Sequence, residues 1–247
     1  MAESWLTPRW PAPPGVRALS TLRSGGVSCA PYDSFNLAQH VGDAQAAVEA
    51  NRERLCRAAR LPATPCWLNQ VHGTAVVDAA RAPAGCAADG AFAREAGVVC
   101  AVMTADCLPL LLCERSGRWV AAVHAGWRGL AAGVIESAIA CLTTPGEDIL
   151  AWLGPAIGPG AFEVGEEVRA AFTGQDEDAA RHFTPSPGGR WMMDLYGLAR
   201  RRLAALGVRQ VYGGEWCTVT EDARFFSYRR DGRTGRMASL IWLEREA

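Results

Sequence analysis

Val98-Val99-Cys100-Ala101-Val102-Met103-Thr104-Ala105-Asp106-Cys107-Leu108-Pro109-Leu110-Leu111-Leu112-Cys113 holds two apolar runs, 98–103 and 108–113, parted by four residues of turn character. Each run is short, dense in aliphatic and β-branched side chains, and too continuous to leave a face in water. That pattern predicts strands buried on both sides. A third such run, 119–123, leads directly into His124. The strands therefore deliver two polar, chemically capable side chains, Cys107 and His124, to places where buried backbone turns out, and functional groups favour such positions.

Outward from this centre the chain alternates less regularly. Residues 1–14, with Pro8, Pro11, Pro13 and Pro14, read as an irregular N-terminal arm before a strand over 16–22. Asp43 is expected to cap a helix over 44–60. Apolar runs at 66–71 and 75–77 suggest a short hairpin about Gly73-Thr74, with His72 at its tip. Residues 129–142 predict one helix, since Leu130, Val134, Ala138 and Cys141 recur at helical spacing. A strand over 149–153, a Gly/Pro loop over 154–160 and a helix near 163–172 come next. Asp194 caps a further helix ending at Gly207, and strands are expected near 210–212, 225–228 and 237–243. No repeat and no linker interrupts the 247 residues. The expectation is a single domain spanning 1–247. Strands and helices without a strict βαβα rhythm favour an α+β class, mixed sheets flanked by helices.

Composition narrows the chemistry. A chain that is 49% hydrophobic can bury a substantial core, and a formal charge of -1 without blocks of like charge leaves no footprint for nucleic acid or an anionic membrane. Small molecules are the expected partners, and no run approaches the roughly 18 apolar residues of a spanning helix. All 25 basic residues are arginine. That excludes Schiff-base catalysis, a lysine base and a P-loop lysine, and leaves anion binding to guanidinium groups and backbone N–H. Nine cysteines at unpaired spacings, in a chain without a charged-then-apolar leader, suggest reduced thiols in a cytoplasmic protein.

His72, in Asn69-Gln70-Val71-His72-Gly73, joins Cys107 and His124 as a candidate metal trio. Two imidazoles and a thiolate suit a catalytic zinc, which takes three protein ligands and keeps a fourth position open. The separations of 35 and 17 residues exclude a zinc finger, whose paired ligands lie about two to four residues apart. Spacing alone is weak evidence, because a histidine or cysteine beside a strand is more often structural. Catalytic cysteine chemistry is the second reading. Asp106 could orient a ligand or act as acid or base, although aspartate is also a common turn former. Arg128 follows His124 and precedes a helix, a place where phosphate could meet a guanidinium and helix N–H groups, though a plain surface arginine also fits. Phe225-Phe226-Ser227-Tyr228-Arg229-Arg230-Asp231-Gly232-Arg233-Thr234-Gly235-Arg236 joins aromatic faces to four arginines, which suits an aromatic base plus an anion but also a solvated hairpin. Asn36 and His40 lie in a segment that could line the same pocket, and His182 looks incidental.

In order along the chain, NQVHG, ADG, TADCLPLLL, AVHAGWRG, LGPAIGP, FEVGEEV, CT and FFSYRRDGRTGR resemble the YfiH-type laccase-domain family, first described as polyphenol oxidases and later as purine nucleoside phosphorylases. The resemblance covers about residues 23–236. It implies zinc held by His72, Cys107 and His124, with copper able to take its place, and a fold similar to a group of cysteine hydrolases. It further implies phosphorolysis of adenosine, inosine, guanosine and methylthioadenosine, plus hydrolytic deamination of adenosine. Nucleosides and phosphate would be its partners, and a monomer its expected state. The catalytic set would be Cys107, Asp106, His72 and His124. Arg128, Arg229 and Arg236 stand in matching motifs, and their role in binding substrate, with Asn36 and His40, is our own inference. Many relatives carry a cysteine in the loop after the Gly-Pro pair, where this chain has Gly160 and Ala161, so a thiol role for that loop does not apply. A multicopper oxidase would need more histidines than the four present. An amide hydrolase with Cys107 as nucleophile, of the kind that edits peptidoglycan precursors, and a non-catalytic metal-stabilised binding module remain as alternatives.

Overall fold

The computed structural model describes residues 5–244. Its strands, in chain order, are β1 (Trp5–Leu6), β2 (Val16–Thr21), β3 (Val76–Asp78), β4 (Gly90–Ala93), β5 (Val99–Thr104), β6 (Leu108–Glu114), β7 (Val120–Ala125), β8 (Ile149–Leu153), β9 (Glu163–Val164), β10 (Phe183–Ser186), β11 (Arg190–Met193), β12 (Gln210–Gly213) and β13 (Met237–Leu243). The α-helices are α1 (Gln45–Ala58), α2 (Trp127–Ala132), α3 (Val134–Ala140), α4 (Glu166–Thr173), α5 (Leu195–Ala205) and the single turn α6 (Tyr228–Asp231). Mixed sheets and helices give the α+β class that the sequence predicts.

The two runs that open the sequence lie in different sheets. β5 edges a four-stranded sheet of order β1-β2-β13-β5, whereas β6 sits inside a six-stranded sheet of order β12-β8-β6-β7-β4-β3. The chain crosses from one sheet to the other at residues 104–107. Alternation along each strand explains why both faces are apolar. Leu108, Leu110 and Leu112 of β6 pack with helix residues such as Leu130, Ile135 and Leu203, while Leu111 and Cys113 point the other way. There they meet Cys100 and Val102 of β5 and Ile241 of β13, between the sheets. Val99, Ala101 and Leu240 face outward again, against Leu55 of α1. The result is four layers: helices α2 to α5, the six-stranded sheet, the four-stranded sheet and α1.

Several local expectations are corrected. Residues 66–77 form no hairpin. Cys66 and Asn69 make isolated parallel bridges to Cys100 and Ala87, and β3 runs parallel to β4, because the amides of residues 71–73 turn onto a side chain, that of Asp89, instead of a neighbouring strand. The helix expected over 129–142 is two helices broken at Gly133, whose φ of 96° is left-handed and ends the first turn run. Residues 225–227 are irregular and lead into α6, so neither a strand nor a hairpin forms there. Glu163–Val164 belongs to a strand paired with β11, and α4 begins only at Glu166. Ala44, not Asp43, is the N-cap of α1. Asp43 instead accepts hydrogen bonds from Ser28 and Asn36 as well as from the Ala44 amide. Within the arm, Trp5–Leu6 pairs with β2 and residues 7–14 are irregular as expected, while residues 1–4 lie outside the described residues.

Candidate metal centre and active site

Asp89, immediately before β4, is fully buried, and its carboxylate organises the loop before it. It accepts the amide N–H of His72 at 2.9 Å, that of Gly73 at 2.6 Å and that of Val71 at 3.3 Å. These bonds hold His72 in a left-handed conformation, φ 58°, which is uncommon for residues other than glycine. The same carboxylate accepts the Nδ1–H of His124 at 2.8 Å, and the Asp89 carbonyl accepts the His124 amide at 2.6 Å. His124, in β7, is thereby fixed through Nδ1 and its amide, and its other side-chain partner is Cys107.

Cys107 comes from the inter-sheet crossing. The turn is made possible by Asp106 at φ 91°, held by the Ile157 amide on its carbonyl at 2.9 Å. The Asp106 carboxylate accepts the Thr218 hydroxyl at 2.6 Å and the Arg229 amide at 2.6 Å, which ties the crossing to the segment around α6. One donor atom from each of His72, Cys107 and His124 lies within 4.8 Å of the others, and the two imidazole rings stand edge to face at 4.8 Å. Bonds of roughly 2.0–2.3 Å from such a set can reach a common point with small side-chain rotations. Gly126 forms the floor: a Cβ there would lie 2.8 Å from His72 Nδ1 and 3.0 Å from Cys107 Sγ.

The two imidazoles are shifted in opposite directions. Burial would lower the basicity of His124, but the Cys107 thiol and the Asp89 carboxylate beside it win and raise its pKa to about 9. Burial would raise the Asp89 carboxyl, yet the hydrogen bonds from His124, Gly73 and His72 hold it below the usual carboxylate value. Desolvation, then the neighbouring His124, push the His72 imidazole down, toward the neutral form that binds metals. A carboxylate behind a ligating histidine fixes its ring and tautomer, the common arrangement around protein-bound metal ions. The residues present fit such an ion.

The trio lines a cavity of about 380 Å³ together with Asp106, Arg128, Arg229, Arg236 and His40. Aromatic walls come from Trp127, Phe162 and Tyr228. Arg128 is exposed and stacks on Trp127 at 4.4 Å, and Arg229 lies 5.3 Å from the Phe162 ring with Nη1 on the Glu163 carbonyl at 2.9 Å. Asn36 is elsewhere: it is fully buried behind the wall, its amide bonded to Ala38, Asp43 and the Arg236 backbone. His182 sits outside the cavity beside Asp194. Reading the sequence missed Asp89 and Thr218. Asp89 stands in the Ala88-Asp89-Gly90 motif, and the signal that could have singled it out is a lone carboxylate immediately before an apolar strand.

The sequence profile of the multi-copper polyphenol oxidoreductase laccase family matches residues 17–244. A Pseudomonas aeruginosa protein named purine nucleoside phosphorylase is 57% identical over 243 residues, 98% of this chain and 99% of that protein. The Escherichia coli K12 protein named purine nucleoside phosphorylase YfiH is 56% identical over 239 residues, 96% of this chain and 98% of its own length. The crystal structure of Neisseria meningitidis protein NMB0706 superposes with a TM-score of 0.95 at 52% identity, covering 98% of this chain and all 100% of that one. YlmD from Geobacillus stearothermophilus superposes with a TM-score of 0.90 at 31% identity over 99% of this chain and 98% of its own. The chain belongs to the multi-copper polyphenol oxidoreductase laccase family, among relatives of the YfiH type.

Proposed function

We propose that this chain is a metal-dependent purine nucleoside phosphorylase that also deaminates adenosine. The observation that carries the reading is the meeting, in one cavity, of the His72–Cys107–His124 donors, aromatic walls and three arginines. The names of relatives 57% and 56% identical along nearly the whole chain support it. Adenosine, inosine, guanosine and methylthioadenosine are the proposed substrates. Zinc is the proposed ion, since two imidazoles and one thiolate suit it with a fourth position open, and copper would use the same donors. A bound ion supplies a Lewis acid and an acidified water.

The chain's own residues supply the rest. Phe162, Tyr228 and Trp127 offer flat faces to a purine ring. In phosphorolysis, a phosphate oxygen bonds to C1′ as the C1′–N9 bond breaks, and the purine leaves with that electron pair and a proton. Guanidinium groups lining the cavity hold the phosphate against the ribose. In deamination, water adds its oxygen at C6 and ammonia departs. Asp106 is the carboxylate in the cavity lining and the assigned proton carrier. Thr218 donates to one of its oxygens and the Arg229 amide to the other, which leaves each oxygen a lone pair to take a proton. Incubation with adenosine and phosphate tests the reading. Adenine with ribose-1-phosphate, and inosine with ammonia, are expected from the intact protein and not from Cys107→Ala. Absence of every product from well-folded, metal-loaded protein overturns it.

A second reading draws on Asp89, His124 and Cys107, which are ordered as carboxylate, imidazole and thiol. That order suits a thiolate nucleophile in an amide hydrolase. Metal-free protein that keeps its turnover, and loses it when Cys107 is alkylated, favours this reading. Alkylation blocked by zinc favours the first.

A further inference from the structure

Three guanidinium groups line the cavity, and none has a carboxylate partner among the described residues, although the adjacent Arg230 pairs with Asp231 at 2.7 Å. They differ in how they are held. Arg128 is exposed on the Trp127 face, and Arg229 is exposed with one nitrogen committed to the Glu163 carbonyl. Arg236 is half-buried, and its Nη1 is held by the Thr234 and Gly235 carbonyls at 2.9 and 3.0 Å. Its Nε and Nη2 make no hydrogen bond among the described residues. A guanidinium fixed on one edge and bare on the other presents a pre-set fork. Burial lowers its pKa, as expected for a cation drawn out of water without a salt bridge.

Asn36 connects this fork to a second group. Its Oδ1 accepts the Arg236 amide at 3.0 Å and the Ala38 amide at 3.0 Å, and its Nδ2 donates to the Ala38 carbonyl at 3.1 Å and to Asp43 at 2.9 Å. Ala38 leads directly into the 3-10 turn Gln39–Val41 that carries His40, a second cavity-lining residue. One buried amide thus sets the start of the Arg236 strand and the root of the His40 turn at the same time.

We propose that Arg236, with His40 beside it, is the subsite for a tetrahedral oxyanion, inorganic phosphate, and that Asn36 is its positioning residue. The proposal deepens the phosphorylase reading and rests on it for the anion's role and for the KM readout of the Asn36 variant, whereas phosphate binding at Arg236 is measured without turnover. Arg128 and Arg229 then serve the organic part of the substrate or the cavity mouth.

The test is calorimetric titration of inorganic phosphate into the metal-loaded full chain, with no nucleoside present. Arg236→Gln is expected to weaken phosphate binding by roughly tenfold or more, and Arg236→Lys, which keeps the charge and loses the fork, by less. Arg57→Gln, in the exposed Glu53 pair of α1, serves as the control and should match the wild type. Asn36→Ala, checked for an unchanged circular dichroism spectrum, should raise the phosphate KM several-fold more than the nucleoside KM, a split that general loosening of the fold does not produce. If Asn36→Ala misfolds, Asn36→Ser replaces it. Phosphate affinity in Arg236→Gln within about twofold of wild type overturns the proposal, as does wild-type protein that binds no phosphate. Phosphate bound through Arg236 with no nucleoside cleaved upholds the subsite and removes the phosphorylase reading instead.

Discussion

Asp89 and Gly126 are the two residues on which the donor trio depends most, although neither carries a donor atom. Asp89 fixes the His124 ring and the His72 loop together, so Asp89→Asn should lower metal affinity by about 10- to 100-fold while the protein still folds, measured by competition with a chromophoric chelator. Retention of wild-type affinity would show that the trio orders itself. Gly126→Ala drives a methyl group against His72 and Cys107 at 2.8 and 3.0 Å. It should weaken metal binding and turnover strongly with a change in melting temperature of only a few degrees, since the clash is with two side chains at the cavity floor and not with backbone. The three donors were legible in the sequence because each ends or adjoins an apolar run. Asp89 was not, because its importance lies in accepting bonds from residues 71–73 and 124, which are distant in sequence. Asn36 shows the opposite difficulty: its polar side chain suggested a pocket residue, and burial assigns it to the wall.

At the level of elements, strands are legible in the sequence where burial is double-sided, and obscure where they are short and pair with partners far along the chain. Val99–Thr104, Leu108–Glu114 and Met237–Leu243 were evident from their continuous apolar runs. Gly90–Ala93 and the Phe183–Ser186/Arg190–Met193 pair were not, since four residues carry little periodicity and their pairing partners lie far along the chain. The helix break at Gly133 escaped because the apolar spacing continues across it. Leu111 of β6 is fully buried between the two sheets, so Leu111→Ala should destabilise the protein by about 2–5 kcal/mol, read from chemical denaturation. A loss well under 1 kcal/mol would mean that the two sheets close over the gap.

Across the whole molecule, charge is nearly balanced, and individual ion pairs matter where one member is buried. The Glu114 side chain is 2% exposed and accepts the Arg118 guanidinium and the Ser116 hydroxyl, whereas the Arg118 side chain is 75% exposed. The Arg118 hydrogen bonds outweigh burial and hold the Glu114 carboxyl down at about 2 from an ordinary 4.5. A folded-state pKa below the unfolded one stabilises the fold above the unfolded value, and that contribution disappears as pH falls through the folded value. Glu114→Gln should therefore melt earlier than wild type at neutral pH, with the gap narrowing below pH 4.5 and closing toward pH 2. A constant gap across that range would mean that Glu114 acts by shape alone. No helix is long and apolar enough to cross a membrane among the described residues. The crossing at residues 104–107 gives this architecture a mechanical property: Cys107 rides on the seam between two slabs, while His124 is riveted inside one of them. Any slip of one slab over the other changes the spacing of sulfur and imidazole, so an ion gripped by both acts as a bolt through the seam, and its retention becomes a gauge of how firmly the slabs are pressed together.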